Sequence, residues 1–170
     1  MLMRHAKSAW NTPATADFDR PLKARGHAAA LAIGRELYAD GSIPDIIITS
    51  TAKRAVQTAE HVAQALSLTL DRITQDGRIY DASMETLLEV IAARGENAQC
   101  LLIIGHNLSL KHLTIYLSKK PLQPAANGKL MPTAALATLR HDGAWTELNV
   151  ACCSTTKIMR PSELKPALHT

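Results

Sequence analysis

Apolar residues along this chain fall into short continuous runs alternating with stretches of helical spacing. Leu2-Met3-Arg4 reads as the end of a buried strand; either that edge is trimmed or the natural start lies upstream. Residues 45–49 form a β-branched apolar run, as expected of a strand covered on both faces. Residues 100–104 give the strongest strand signal, and 72–75 a weaker one. Between them, Ala29, Ile33 and Leu37 mark a helix running to about Ala39, with Pro21 placed to open it and Asp40-Gly41 to stop it. Ala55, Ala59, Val62 and Leu66 mark a second helix, with Ser50 and Thr51 as N-cap candidates. A third begins at Ser83 or Met84, continues through Leu87, Leu88 and Ile91, and closes at Gly95; Leu110, Leu113 and Leu117 mark a fourth. Residues 5–20 and 119–132 are loops. Residues 135–140 and 145–150 read as a hairpin turning at Asp142-Gly143. From Thr155 onward periodicity is weak, so this tail either wraps the surface or moves freely.

Strand and helix alternation implies an α/β fold, with helices on both faces of a mostly parallel central sheet and the hairpin adding antiparallel strands at one edge. A chain of 170 residues suits one domain, 1–170, with a core over about 1–152 and a tail over about 153–170. Aromatic residues make up only 4%, so the core rests on Leu, Ile, Val and Ala. No apolar run reaches a membrane span and no leader pattern is present, so membrane association is not expected and the cytoplasm is the expected compartment. Three cysteines, two of them adjacent (Cys152 and Cys153), do not suggest a disulfide framework, and no metal-ligand spacing stands out. Neither a metal nor an organic cofactor is expected. The net charge of +4 favours anionic partners, but scattered cations and few aromatics exclude a nucleic-acid surface. A phosphate-bearing substrate fits the same charge.

In such folds ligands bind beyond the carboxyl ends of the strands. Here those ends carry Arg4-His5, Ser50 with Arg54 one turn on, and Gly105-His106. A single strand-end histidine says little. Arg54 says more, because a cation in the first turn of a helix opposes the helix dipole and calls for a nearby anion. Two histidines and two arginines on one sheet edge together suggest an anion site.

The motifs in order resemble the histidine phosphatase superfamily. The segment Leu2-Met3-Arg4-His5-Ala6-Lys7-Ser8-Ala9-Trp10-Asn11 is similar to its opening signature, Ser50-Thr51-Ala52-Lys53-Arg54-Ala55-Val56-Gln57-Thr58-Ala59 to its second motif, and Ile104-Gly105-His106-Asn107 to its third. The likeness spans about residues 1–150. It implies a three-layer, phosphoglycerate mutase-like fold with His5 as covalent nucleophile and Arg4, Arg54 and His106 holding the phosphoryl group. Asp19-Arg20-Pro21-Leu22 and the chain length are similar to small SixA-type phosphohistidine phosphatases, which makes Arg20 a further phosphate ligand. Asn11, Ser50 and Asn107 also fall at phosphate-contacting positions, although Asn11 equally suits an Asx-turn before Pro13 and Ser50 a helix cap. The family usually has Gly where this chain has Ala6, and Lys7 replaces an acidic residue common in the mutases.

On this reading neutral His5 attacks phosphorus in line, with its other ring nitrogen donating to a backbone carbonyl. Asp81, then Glu85, are the candidates for a general acid, and both equally suit the start of a helix. The lack of a clear general acid favours an easily leaving imidazole over an alkoxide. The expected partner is therefore a phosphohistidine-bearing protein, such as a histidine phosphotransfer domain. A small phosphate ester is the alternative, and a non-catalytic module that binds phosphorylated proteins a third reading. A monomer is expected.

Overall fold

The computed structural model describes residues 1–10 and 16–164. In chain order the elements are β1 (Leu2–Arg4), α1 (Ala24–Ala39), β2 (Ile46–Thr49), α2 (Lys53–Ala65), β3 (Ile73–Gln75), α3 (Met84–Gly95), β4 (Leu101–Gly105), α4 (Asn107–Leu117), β5 (Leu136–Arg140) and β6 (Ser154–Met159). Short 3-10 turns occupy Asp17–Asp19, Leu70–Arg72, Gly77–Ile79, Trp145–Glu147 and Pro161–Glu163. The strands form one mixed sheet in the order β3-β2-β4-β1-β5-β6. The first four of these are parallel; β5 runs antiparallel to β1, and β6 antiparallel to β5.

Alternation along the strands divides the core into two layers. Met3, Ile47, Leu102 and Ile104 face α1 and α2, meeting Ala30, Ile33, Ala55, Ala59 and Val62. Leu2, Ile48, Leu101 and Ile103 face α3 and α4, meeting Leu87, Val90, Leu110 and Leu113. The fold is thus the three-layer α/β/α sandwich expected of the pattern. Among the described residues no helix is long and apolar enough to cross a membrane.

Three local expectations are corrected. The first helix starts at Ala24 rather than Pro21, because Pro21 and Leu22 are drawn into contacts with the opening loop: Ala9 N–H donates to the Pro21 carbonyl at 2.9 Å and Leu22 bridges to Ser8. The N-cap of α2 is Ala52; Ser50 turns its hydroxyl inward and accepts from Ala52 N–H at 3.3 Å. Residues 145–150 do not pair with β5. Trp145 instead packs on α3, its Nε1–H donating to the Ala98 carbonyl at 2.7 Å, and Leu148 covers the lower core. The antiparallel partner is β6, within the stretch read as a tail, where Ile158 and Met159 supply the apolar contacts that fix the pairing.

Gly26 shows how tightly the opening loop is clamped. A Cβ there would lie 2.3 Å from the Lys7 carbonyl oxygen, which already accepts from Lys23 N–H at 2.9 Å. Gly26→Ala should therefore destabilise the fold by about 1–3 kcal/mol, read as a lower urea midpoint with unchanged slope.

Candidate active site

Strand register brings three strand ends level. Arg4 lies beside Gly105 and Thr49 beside Ile104. His5 and Ser50 extend the pairing by donating backbone N–H groups to the carbonyls of Gly105 (2.9 Å) and Ile104 (3.0 Å). His106 follows Gly105 directly and sits at the N-cap of α4.

His5 is only 8% exposed. Its Nδ1 lies 2.8 Å from the Ala6 carbonyl, which can only accept, so Nδ1 holds the proton and Nε2 holds the lone pair. Arg54 Nε–H donates to that Nε2 at 3.3 Å. The same guanidinium reaches His106, with Nη2–H donating to Nδ1 at 3.3 Å, which leaves the His106 proton on Nε2, 3.0 Å from Ser50 Oγ. The two imidazole centroids stand 5.2 Å apart. Thr58 secures the turn after His5: its Oγ1 accepts from Ala6 N–H at 3.0 Å and donates to the Arg54 carbonyl at 2.6 Å. Ala6 does not adopt positive φ, so the alanine fits without strain. Ala134 does, at φ 61°, where its N–H is shared between the Arg4 and His5 carbonyls.

The remaining arginines border this pair. Arg4 Nη1–H donates to the Met131 carbonyl at 3.0 Å, which ties the 119–132 loop to the site. Among the described residues, Arg4 Nε, Arg20 Nε and Arg20 Nη1 are buried without a hydrogen-bond partner. Such orphaned donors are unfavourable unless an acceptor fills the space they face. Arg20 also stacks over the exposed Trp10 ring at 4.1 Å. Asp17 enters between the arginines: its Oδ2 accepts from Arg54 Nη2–H at 2.9 Å and from the Tyr80 hydroxyl at 3.1 Å. Its Oδ1 lies 3.2 Å from Arg20 Nε, an ion pair whose angle falls short of a hydrogen bond.

Burial holds both imidazoles neutral. His5 is pushed down to about 3, chiefly by desolvation; the Ala6 hydrogen bond opposes this, and the nearby positive groups add to it. His106 is pushed down to about 4 by desolvation and then by the Arg54 charge, with Asp81 and Asp17 opposing. Burial would raise the Asp17 pKa, but Arg54, the Tyr80 hydroxyl and Arg20 together hold it below the ordinary carboxylate value.

Arg4, His5, Arg20, Ser50, Arg54 and His106 thus meet in one place. Asn107, half-buried in the first turn of α4, lines an adjoining basic cavity with Arg4, Lys111 and Lys129. Asn11 lies outside the described residues. Asp81 is exposed at φ 53°, close enough for its charge to act on His106, and Glu85 is exposed in the first turn of α3. Sequence reasoning missed Asp17, Tyr80 and the Met131 carbonyl. The position of Arg54 called for an anion, but nothing in the spacing said which carboxylate would supply it. A possible metal-binding cluster lies elsewhere: His141, Cys152 and Cys153 place one ligand atom each within 4.8 Å of one another. Antiparallel pairing of Leu2 with Ala137 puts this cluster at the opposite end of β1 from His5.

The chain is similar to known proteins over most of its length. A sequence model of the histidine phosphatase superfamily (branch 1) matches residues 1–87. An uncharacterized protein of Mycobacterium tuberculosis is 34% identical over 157 residues, covering 89% of this chain and 95% of the relative. A crystal structure of a candidate phosphohistidine phosphatase, SixA from Agrobacterium tumefaciens, is 30% identical with TM-score 0.78, covering 94% of this chain and 96% of that one. A tungstate complex of the protein histidine phosphatase SixA, at 22% identity, has the same fold with TM-score 0.78 over 96% of this chain and 97% of that one.

The neutral imidazoles set a sign for acid stability. Both folded-state values lie below the ordinary 6.5, so the unfolded chain takes up protons that the folded one refuses. This contribution leaves stability undiminished above about pH 6.5 and erodes it as the pH falls. Urea unfolding should show a decline that begins near pH 6.5 and continues to about pH 4. The His5→Asn, His106→Asn double variant should flatten it, and an equally steep decline in that variant would contradict the assignment.

Proposed function

Since the chain belongs to the histidine phosphatase superfamily, we propose that it is a phosphatase working through phospho-His5, removing phosphate from phosphohistidine on a signalling or phosphotransfer protein. The observation that carries this reading is the His5 tautomer. Its Nδ1–H is committed to the Ala6 carbonyl, and its Nε2 lone pair stands neutral beside the Arg54 guanidinium. Nε2 attacks phosphorus, a new P–N bond forms, and the bond to the leaving group breaks with its electron pair going to that group. Arg4, Arg20 and Arg54 take the non-bridging oxygens, with the orphaned N–H groups of Arg4 and Arg20 finding acceptors there. His106, Ser50 and Asn107 complete the cradle. Water then attacks phospho-His5, releasing phosphate and restoring the imidazole. Positioning and charge stabilisation carry the chemistry, and no step calls for a metal or cofactor.

The leaving-group side supports a phosphohistidine substrate. Asp81 and Glu85, the candidate acids, are exposed and make no hydrogen bond to His5 or His106 among the described residues. An imidazole departs with less help than an alkoxide, so it suits a site without a committed acid. Trp10 and Phe18, exposed beside Arg20 and Tyr80, offer an apolar rim to a protein partner. The cytoplasm, where phosphorelay proteins reside, is the compartment this substrate implies.

His5→Ala should lower turnover of a phosphohistidine protein at least about a thousandfold and abolish a base-stable, acid-labile ³²P label on the enzyme. Unchanged phosphate release in that variant would remove the nucleophile assignment. Sugar phosphates and nitrophenyl phosphate assayed in parallel test the substrate. A kcat/KM for a sugar phosphate well above that for the phosphoprotein would transfer the reading to a small-molecule phosphomonoesterase.

A further inference from the structure

We propose that Asp17 is a resident anionic ligand of the phosphate cradle, which an incoming phosphoryl group must displace, and that it thereby sets the affinity of the site for phosphate. The inference rests on reading the site as a phosphate cradle and assigns the residue that competes for it.

Asp17 occupies the cradle as a bound oxyanion would. One carboxylate oxygen takes Arg54 Nη2–H at 2.9 Å and the Tyr80 hydroxyl at 3.1 Å, and the other faces Arg20 Nε at 3.2 Å. The Asp17 backbone carbonyl accepts from Arg54 Nη1–H as well. Two of the three arginines assigned to phosphate are therefore engaged by a single residue. Beyond Asp17, among the described residues, Arg54 donates only to the imidazoles, through Nε to His5 and Nη2 to His106.

The attachment of Asp17 is weak where its grip on the arginines is strong. It opens a single 3-10 turn, Asp17–Asp19, that buries none of its residues, and its side chain is 53% exposed. The carboxylate therefore stands between the cradle and solvent, and moving it uncovers no core. A carboxylate carries one negative charge and two oxygens, whereas a terminal phosphoryl group carries up to two charges and three oxygens. Exchange is favourable for the phosphoryl group because it also satisfies Arg4 Nε and Arg20 Nη1, which Asp17 leaves without partners. Until exchange, Asp17 spares Arg54 an uncompensated charge at the N-terminus of α2.

Inorganic phosphate titrated into the full chain by calorimetry, at fixed salt near neutral pH, tests this directly. Asp17→Asn keeps the shape and removes the charge, so it should bind phosphate about tenfold more tightly than the wild type. Asp17→Ala should do the same if both variants keep the wild-type thermal midpoint. Asp19→Asn is the control for general charge, since Asp19 is exposed and makes no ion pair among the described residues; it should change affinity less than about twofold. Weaker or unchanged binding in Asp17→Asn would overturn the proposal, showing that Asp17 orients the arginines rather than competing for them. An equal gain from Asp19→Asn would overturn it as well. Phosphate binding is read without turnover. A chain that never forms phospho-His5 yet binds phosphate more tightly in Asp17→Asn would lose the catalytic reading and keep this one. A chain that binds no phosphate in any variant would lose both.

Discussion

Arg54 stands where two physical effects oppose it. It lies in the first turn of α2, at the positive end of the helix dipole, and only 4% of it is exposed. A buried guanidinium is tolerated when its donors are satisfied and a counter-charge is close. Here its donors go to His5, His106 and Asp17. The two imidazoles accept from it only because they are neutral, and they are neutral because they share its burial. The charge of one arginine and the protonation of two histidines are thus one coupled arrangement.

The sheet makes that arrangement possible. Parallel register carries Arg4, Thr49 and Gly105 to a common edge, so residues far apart in the chain arrive within hydrogen-bond reach. Helix packing holds the edge still. Gly34 lets α1 lie against α2, where a Cβ would come 2.6 Å from that of Ala65, and Gly26 admits the Lys7 backbone beside α1. Thr58 then joins α2 to the backbone following His5: its Oγ1 accepts from Ala6 N–H while donating to the Arg54 carbonyl within the helix. The turn after His5 and the arginine beside its imidazole are held by the same helix.

Orientation of the histidines follows from acceptors rather than from charges. The Ala6 carbonyl fixes one His5 tautomer, and Arg54 with Ser50 fixes that of His106. Ser50 therefore serves the site by orienting an imidazole, and Ala52 takes the capping position.

Much of this was legible in the sequence. Strand and helix periodicity gave the layers, and the placement of Arg4-His5, Arg54 and His106 at element ends gave their meeting at one sheet edge, because both depend on local spacing that the pleat and the helix translate directly into direction. The hairpin was misplaced because residues 145–150 follow the turn at Asp142-Gly143 directly while periodicity from Thr155 is weak; tertiary packing decided otherwise, with Trp145 finding a helix and a carbonyl to cover. The Asp17 contacts were not legible either. Asp17, Asp19 and Asp81 look alike as letters, and which carboxylate meets Arg54 depends on how the chain returns from Ala16 to Arg20 across the face of Tyr80. Local pattern determined which residues stand at the strand ends. Only the folded geometry decided which charges meet there, because electrostatic partners are chosen by distance in space and not along the chain.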